Sequence, residues 1–279
     1  MALILALLSA VFYGTADFLG GLGARRAVPL AVTVFAQGVG FVLALLALPL
    51  FPAPPPGTAG MLWGVGAGLT GGLGVALLYY GLAVGRVSVV APVTAVCAIA
   101  IPVLVALGLG ERPVPAALAG IALAILSVAL ISRHDDPANR PRGHDRSLVV
   151  ALASGAMIGA FLVCLARAGD ASGVWPLLIA RAASTLALAA AAHLAGVRIA
   201  IPRKAVFVVV SCGALDMLAN ALYLIAVRVG PLGLVATLAS LYPASTVLLA
   251  RLVLGERLRP LQSIGLACAA VAIVLIASR

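Results

Sequence analysis

Two carboxylates stand inside long apolar runs. Of the eight acidic residues, Glu111 and Glu256 fall in turns, Asp135, Asp136, Asp145 and Asp170 fall in connecting segments, and only Asp17 and Asp216 lie within the runs themselves. If those runs cross a bilayer, a charge at depth costs at least ~2.5–3.5 kcal/mol, so each must face a partner, water or a bundle interior. Asp216 is nearly central in its run. Arg181 is close to the middle of the preceding run, its antiparallel neighbour, so the two are predicted to meet at similar depth. Asn220 is one helical turn beyond Asp216 and Tyr223 is three residues further, which makes one polar stripe. Such a set suits binding a zwitterionic or charged solute, or a coupling proton; it equally suits an ion pair that only fixes helix register. Asp17 lies roughly 7–8 Å of helix rise beyond the middle of its run. A carboxylate held out of water can exchange protons near neutrality, which makes Asp17 and Asp216 the candidates for proton coupling.

The elements that must hold these groups follow from composition. With 64% apolar and 9% charged residues, the chain is far from the roughly half apolar and about one-quarter charged soluble average. At roughly 28 residues per span and turn, 279 residues allow ten transmembrane helices and no sizeable aqueous domain. The apolar runs place them at about 2–23, 29–50, 59–84, 87–109, 114–132, 147–167, 173–195, 204–228, 231–254 and 260–277. The first run has no basic residues before it and Arg25 and Arg26 after it, so it reads as a retained span rather than a signal peptide. A net charge of +10 would suggest nucleic acid if it formed one patch, but the 18 Lys and Arg are scattered between apolar runs, as orientation signals are. Cys97, Cys164, Cys212 and Cys268 all sit inside apolar runs, which argues against a disulfide framework or a metal site.

The polar stretch RHDDPANRPRGHDR at 133–146 divides the chain into a first five-helix unit, 1–133, a linking loop, 134–146, and a second unit, 147–279. Shifting the chain by 145 residues aligns 84–131 on 229–276 without a gap, with about a third of positions identical. Gly110-Glu111-Arg112 falls on Gly255-Glu256-Arg257, Pro115 on Pro260, Ser9 on Ser154 and Gly14 on Gly159. An odd number of spans per copy makes the second copy enter from the opposite face, an inverted repeat whose common use is alternating access around a midplane site. The same shift pairs Asp17 with Leu162, Arg181 with Ala36 and Asp216 with Gly71. The scaffold therefore tolerates apolar residues at these places, which favours a task performed once per molecule.

Ten spans in two copies, each with a Gly-Glu-Arg turn between its fourth and fifth helices (LGERPVPAALAG at 109–120, LGERLRPLQSIG at 254–265), resemble the EamA family of the drug/metabolite transporter superfamily. FYGTADFLGG at 12–21 is similar to the family's first-helix pattern, although Asp17 stands where many members are uncharged. The resemblance covers the whole chain. It implies a multi-pass protein of a bacterial inner membrane that exports or takes up small metabolites, amino-acid-like or amphipathic, through a central cavity by alternating access; for this chain an exporter is expected. It implies no cofactor and a small-molecule solute as the partner besides the bilayer; a monomer is expected.

The turns also have a plain structural reading. Gly110 and Gly255 can end a helix in the left-handed conformation, and Glu111 and Glu256 precede the next helix, where exposed N–H groups favour a carboxylate. Pro115 and Pro260 suit its first turn. Pro92, Pro102 and Pro243 are expected to interrupt the fourth and ninth helices, and paired interruptions point to a binding site. GVGAGLTGGLG at 64–74 offers small residues every four positions for close packing. Trp63 and Trp175 read as interfacial anchors.

Counting basic residues by alternate connections gives twelve on the side of the central loop and four on the other. The positive-inside rule then makes that loop cytoplasmic and both termini external, whereas better-studied eukaryotic members of the superfamily imply cytoplasmic termini. Three competing functions differ in what they need. A membrane enzyme acting on lipid-linked substrates needs clustered His, Asp, Glu or Arg, and three His with scattered acids supply no such cluster. A passive channel or a lipid flippase would share the architecture without tight solute binding. There is no phosphate-cradling loop for ATP-driven transport and no nucleic-acid signature.

Overall fold

In the computed structural model, residues 1–84, 87–131, 144–168, 172–254 and 260–277 are described. They form eleven α-helices: α1 (Ala2–Ala24), α2 (Pro29–Ala47), α3 (Thr58–Val84), α4 (Val87–Gly108), α5 (Pro115–Ile131), α6 (His144–Arg167), α7 (Trp175–Leu194), α8 (Arg203–Arg228), α9 (Leu232–Ala239), α10 (Tyr242–Leu254) and α11 (Pro260–Ala277). The helices α9 and α10 together occupy the ninth expected span. Among the described residues, six helices are long and apolar enough to cross a membrane, namely α1 to α3 and α6 to α8, and four other apolar stretches are shorter. Large apolar side chains such as Ile4, Leu186, Phe207 and Leu252 are exposed. A soluble protein does not carry so much exposed apolar surface.

Packing repeats between the halves. The helix pair α1 and α8 recurs as α6 and α3, and the pair α3 and α7 recurs as α8 and α2, while α2 packs on α7 and α5 on α11. The agreement extends to single bonds. Ser9 Oγ donates to the Ala219 carbonyl at 2.8 Å, and Ser154 Oγ donates to the Gly74 carbonyl at 2.8 Å. Both members of the second bond are displaced by 145 residues from their counterparts in the first.

Small residues permit these approaches. On α3, a Cβ on Gly68 would lie 2.3 Å from the Ala180 carbonyl oxygen and one on Gly72 would lie 2.8 Å from Ser184 Cβ, so this face docks on α7. Gly71 and Gly74 meet Phe161 and Ile158 of α6 in the same way. The Gly-rich third span is therefore a packing element, as its spacing predicts.

The proline expectation needs correction. The fourth span is one uninterrupted helix through Pro92 and Pro102, and only the ninth is broken, between Ala239 and Tyr242 beside Pro243. A proline lacks an N–H and crowds the carbonyl one turn earlier, but neighbouring helices can absorb one such defect without a break.

At the end of α4, Gly110 adopts φ +90°. The amides of Glu111 and Gly110 bond the Ala106 and Leu107 carbonyls, each at 3.0 Å, which is a Schellman closure. Pro115 and Pro260 begin α5 and α11. The Glu111 carboxylate was expected to serve the helix that follows it. Instead it reaches the other repeat, accepting from Leu232 N at 2.8 Å and Gly233 N at 3.1 Å at the start of α9. Gly255 and Glu256 lie outside the described residues. Trp175 donates Nε1–H to the Ala53 carbonyl at 3.0 Å, which ties α7 to the proline-rich connection at 51–57 between α2 and α3, and the Arg167 guanidinium lies 5.8 Å from the Trp63 ring centre.

Candidate functional site

Midway along the helices lies a chamber enclosing about 730 Å³ of space including its open mouth, lined mainly by apolar groups. Its walls come from both repeats. Tyr13 and Asp17 of α1, Gln37 of α2, Arg181 and Ser184 of α7, Asp216 and Asn220 of α8, and Ser240 and Tyr242 at the break in the ninth span supply the polar groups.

Arg181 organises one side. Its Nη2 contacts Asp216 Oδ2 at 2.5 Å, its Nη1 donates to Gln37 Oε1, and its side chain is only 7% exposed against 17% for Asp216. Space for the guanidinium exists because Gly40 has no side chain: a Cβ there would lie 2.9 Å from Nε. Ser184 Oγ donates to the same Gln37 Oε1 at 3.2 Å. With two of its nitrogens so bonded, Arg181 is a fixed cation rather than a free receptor.

The network continues along α8. Asn220 Nδ2 donates to the Asp216 carbonyl at 2.6 Å, and the Tyr13 hydroxyl donates to Asn220 Oδ1 at 2.7 Å. Asp17 is different. It borders the chamber, as Asp216 does, yet no hydrogen bond or ion pair joins it to any described residue. With both carboxylates ionised, the groups Asp17, Arg181 and Asp216 sum to one negative charge.

The repeat reveals how the chamber is built. Residues 145 apart line it in four pairs: Tyr13 with Ile158, Asp17 with Leu162, Asp216 with Gly71, and Asn220 with Val75. In each pair the polar member comes from α1 or α8 and the apolar member from α6 or α3. A chamber bordered by both members of repeat-related pairs lies where the two copies face each other. One wall is thus polar and its counterpart greasy.

Of the residues singled out from sequence, Asp17, Arg181, Asp216 and Asn220 converge on this chamber, and the broken segment beside Pro243 borders it. Tyr223 does not belong to the lining: it is fully buried and donates to the Leu162 carbonyl at 3.1 Å, pinning α8 to α6. Its three-residue step past Asn220 rotates it toward the neighbouring helix. Sequence reasoning missed Tyr13, Gln37, Ser184, Ser240 and Tyr242. A signal for Gln37 existed, since it follows Ala36, the counterpart of Arg181, and α2 and α7 are counterparts that pack on each other.

The helix pattern and repeat agree with what comparison finds. The family model for the EamA-like transporter family matches residues 1–133 and 146–278. The fold matches 27 chains of solved structures. In one crystal structure the similarity has a TM-score of 0.76 and 17% sequence identity, and spans 99% of this chain and 96% of the other, so the likeness is one of fold. No curated protein matches the sequence.

Proposed function

Because the chain belongs to the EamA-like transporter family, with one match in each half, we propose that it is a carrier moving a small metabolite across a bacterial inner membrane by alternating access. The two five-span units, 1–133 and 147–279, enter the bilayer from opposite faces, and the chamber between them is the solute site. Export is the direction we propose. The twelve-to-four distribution of basic residues supports external termini.

The observation that carries this reading is the two-walled chamber. A polar network on α1, α7 and α8 faces apolar counterparts on α3 and α6, which suits an amphipathic or amino-acid-like solute of small size. Arg181, Asp216 and Asn220 hold one another in place as the polar wall, and Asp17 or Asp216 can carry a coupling proton.

The test is counterflow. Purified protein in vesicles preloaded with an unlabelled solute should accumulate the labelled solute transiently, saturably and in competition with analogues. Flux that rises linearly with concentration and shows no competition would mark a passive pore instead.

A further inference from the structure

Cations that lie far apart in the sequence come together at one end of the bundle. The helices α1 and α8 pack on each other, and a Cβ on Gly23, near the end of α1, would lie 3.2 Å from a methyl of Val209, near the start of α8. Ala24 and Val209 belong to one buried apolar cluster, against which Ala27 and Ile201 also pack. Arg25 and Arg26 follow Ala24 directly, and Arg203 and Lys204 follow Ile201 by two and three residues. Both pairs therefore stand on the rim of the same cluster, with Arg198 three residues before Ile201. All five are exposed, and no ion pair or hydrogen bond joins their side chains to any described residue. Asp17 and Asp216 border the chamber and Glu111 caps α9, so these carboxylates are engaged elsewhere.

The repeat supplies a control. Shifted by 145 residues, Arg25, Arg26, Arg198, Arg203 and Lys204 correspond to Asp170, Ala171, Ala53, Thr58 and Ala59. The duplicated scaffold thus carries one acid and four uncharged residues at the equivalent places and does not itself need these cations. A basic bias sets orientation during insertion, but that task asks for a count on one side and not for a gathering in space.

The surface beside the cations points to the partner. Phe207 is 81% exposed and Val210 is 44% exposed. Four and seven residues after Arg203, they lie on its face of α8, with Phe207 about 6 Å of helix rise further along. A soluble anion or an acidic protein segment would use the cations and leave this apolar stripe unused. A phospholipid uses both.

We propose that Arg25, Arg26, Arg203 and Lys204, with Arg198 beside them, bind the headgroup of an anionic phospholipid whose acyl chain rests along Phe207 and Val210. Guanidinium and ammonium groups donate to phosphate oxygens, and basic clusters at the membrane surface attract anionic lipids. The site is independent of which solute the chamber takes.

The experiment follows thermal melting of the purified full chain in uncharged detergent, where orientation no longer matters. The probes are dioleoyl phosphatidylglycerol, tetraoleoyl cardiolipin, dioleoyl phosphatidylcholine and inorganic phosphate. The two anionic lipids should raise the melting temperature saturably, cardiolipin at the lower lipid fraction, and the other two probes should not. Salt at about 1 M, where the Debye length is about 3 Å, should remove most of the shift. Arg25→Gln with Arg26→Gln, or Arg203→Gln with Lys204→Gln, should each raise the half-saturating lipid fraction roughly tenfold or more. All four together should abolish the shift, whereas Arg112→Gln with Arg167→Gln should leave it intact. Equal stabilisation by phosphatidylcholine or inorganic phosphate, a shift that survives the fourfold variant or is lost in the Arg112 and Arg167 variant, or no shift with any lipid would overturn the site. Binding is read here without transport, so failed counterflow contradicts only the carrier and a failed lipid shift contradicts only this site.

Discussion

Arg181 Nη2 lies 2.5 Å from Asp216 Oδ2, and both residues border the chamber from consecutive helices of the second repeat that pack on α2 rather than on each other. Their counterparts in the first repeat are Ala36 and Gly71, so the pair is present once in a scaffold built twice. Arg181→Ala and Asp216→Asn should each reduce saturable flux in proteoliposomes to background while the protein remains extractable and monodisperse. Removing one partner of a buried pair costs up to ~3–5 kcal/mol, less here because the chamber admits water to the survivor. The double variant Arg181→Met with Asp216→Leu should recover the melting temperature lost in the single variants without recovering flux. Normal flux from both single variants would remove the pair from the site.

Glu111 joins the halves of the molecule by capping α9 with both carboxylate oxygens. Losing such a cap costs about 0.5–2 kcal/mol. Glu111→Ala should lower the melting temperature, Glu111→Gln should lower it less, and Arg112→Ala, whose side chain is exposed, should leave it unchanged. Equal melting of Glu111→Ala and wild type would contradict the cap.

Ser9 and Ser154 make the same bond in the two copies. Hydrogen bonds between membrane helices average about 0.6 kcal/mol. Ser9→Ala and Ser154→Ala should therefore destabilise by similar small amounts, additive in the double variant because the sites are separate. A large cost for one and none for the other, read by unfolding of the purified protein, would show that the halves are not energetically equivalent there.

Gly68 and Gly38 form an internal comparison. A Cβ at Gly68 collides with the Ala180 backbone, while one at Gly38 meets nothing within 4 Å. Gly68→Ala should cost about 1–3 kcal/mol by forcing α3 from α7. Gly38→Ala should be neutral or slightly stabilising, since alanine is the better helix former. Melting curves of the two variants decide this.

Much of the architecture was legible because lipid imposes long apolar runs and duplication leaves a fixed offset. Arg181 and Asp216 were readable from depth, since consecutive antiparallel spans put them at one level, although their helices meet through α2 rather than by packing on each other. Other contacts were hidden because they depend on helix rotation and on which helices of different repeats touch. Tyr223 is three residues past Asn220, and that step turned it onto α6. Glu111 precedes one helix in sequence but caps another in space, because the end of α4 lies beside the start of α9. The prolines misled for a related reason: Pro92 and Pro102 are accommodated in a continuous helix, whereas the break near Pro243 adjoins the chamber. Ser240 and Tyr242 carried no sequence signal at all, since a hydroxyl in an apolar run usually bonds its own helix, as Thr237 does to Gly233.

The central claim is that the chamber opens to each face of the membrane in turn. With the four native cysteines replaced, Ile158→Cys puts one thiol on the apolar wall. Its reaction with a membrane-impermeant maleimide is then followed from either side of oriented vesicles. Alternating access predicts labelling from both sides, each slowed by a transported solute. Labelling confined to one face whatever solute is present, or no labelling from either, would contradict it.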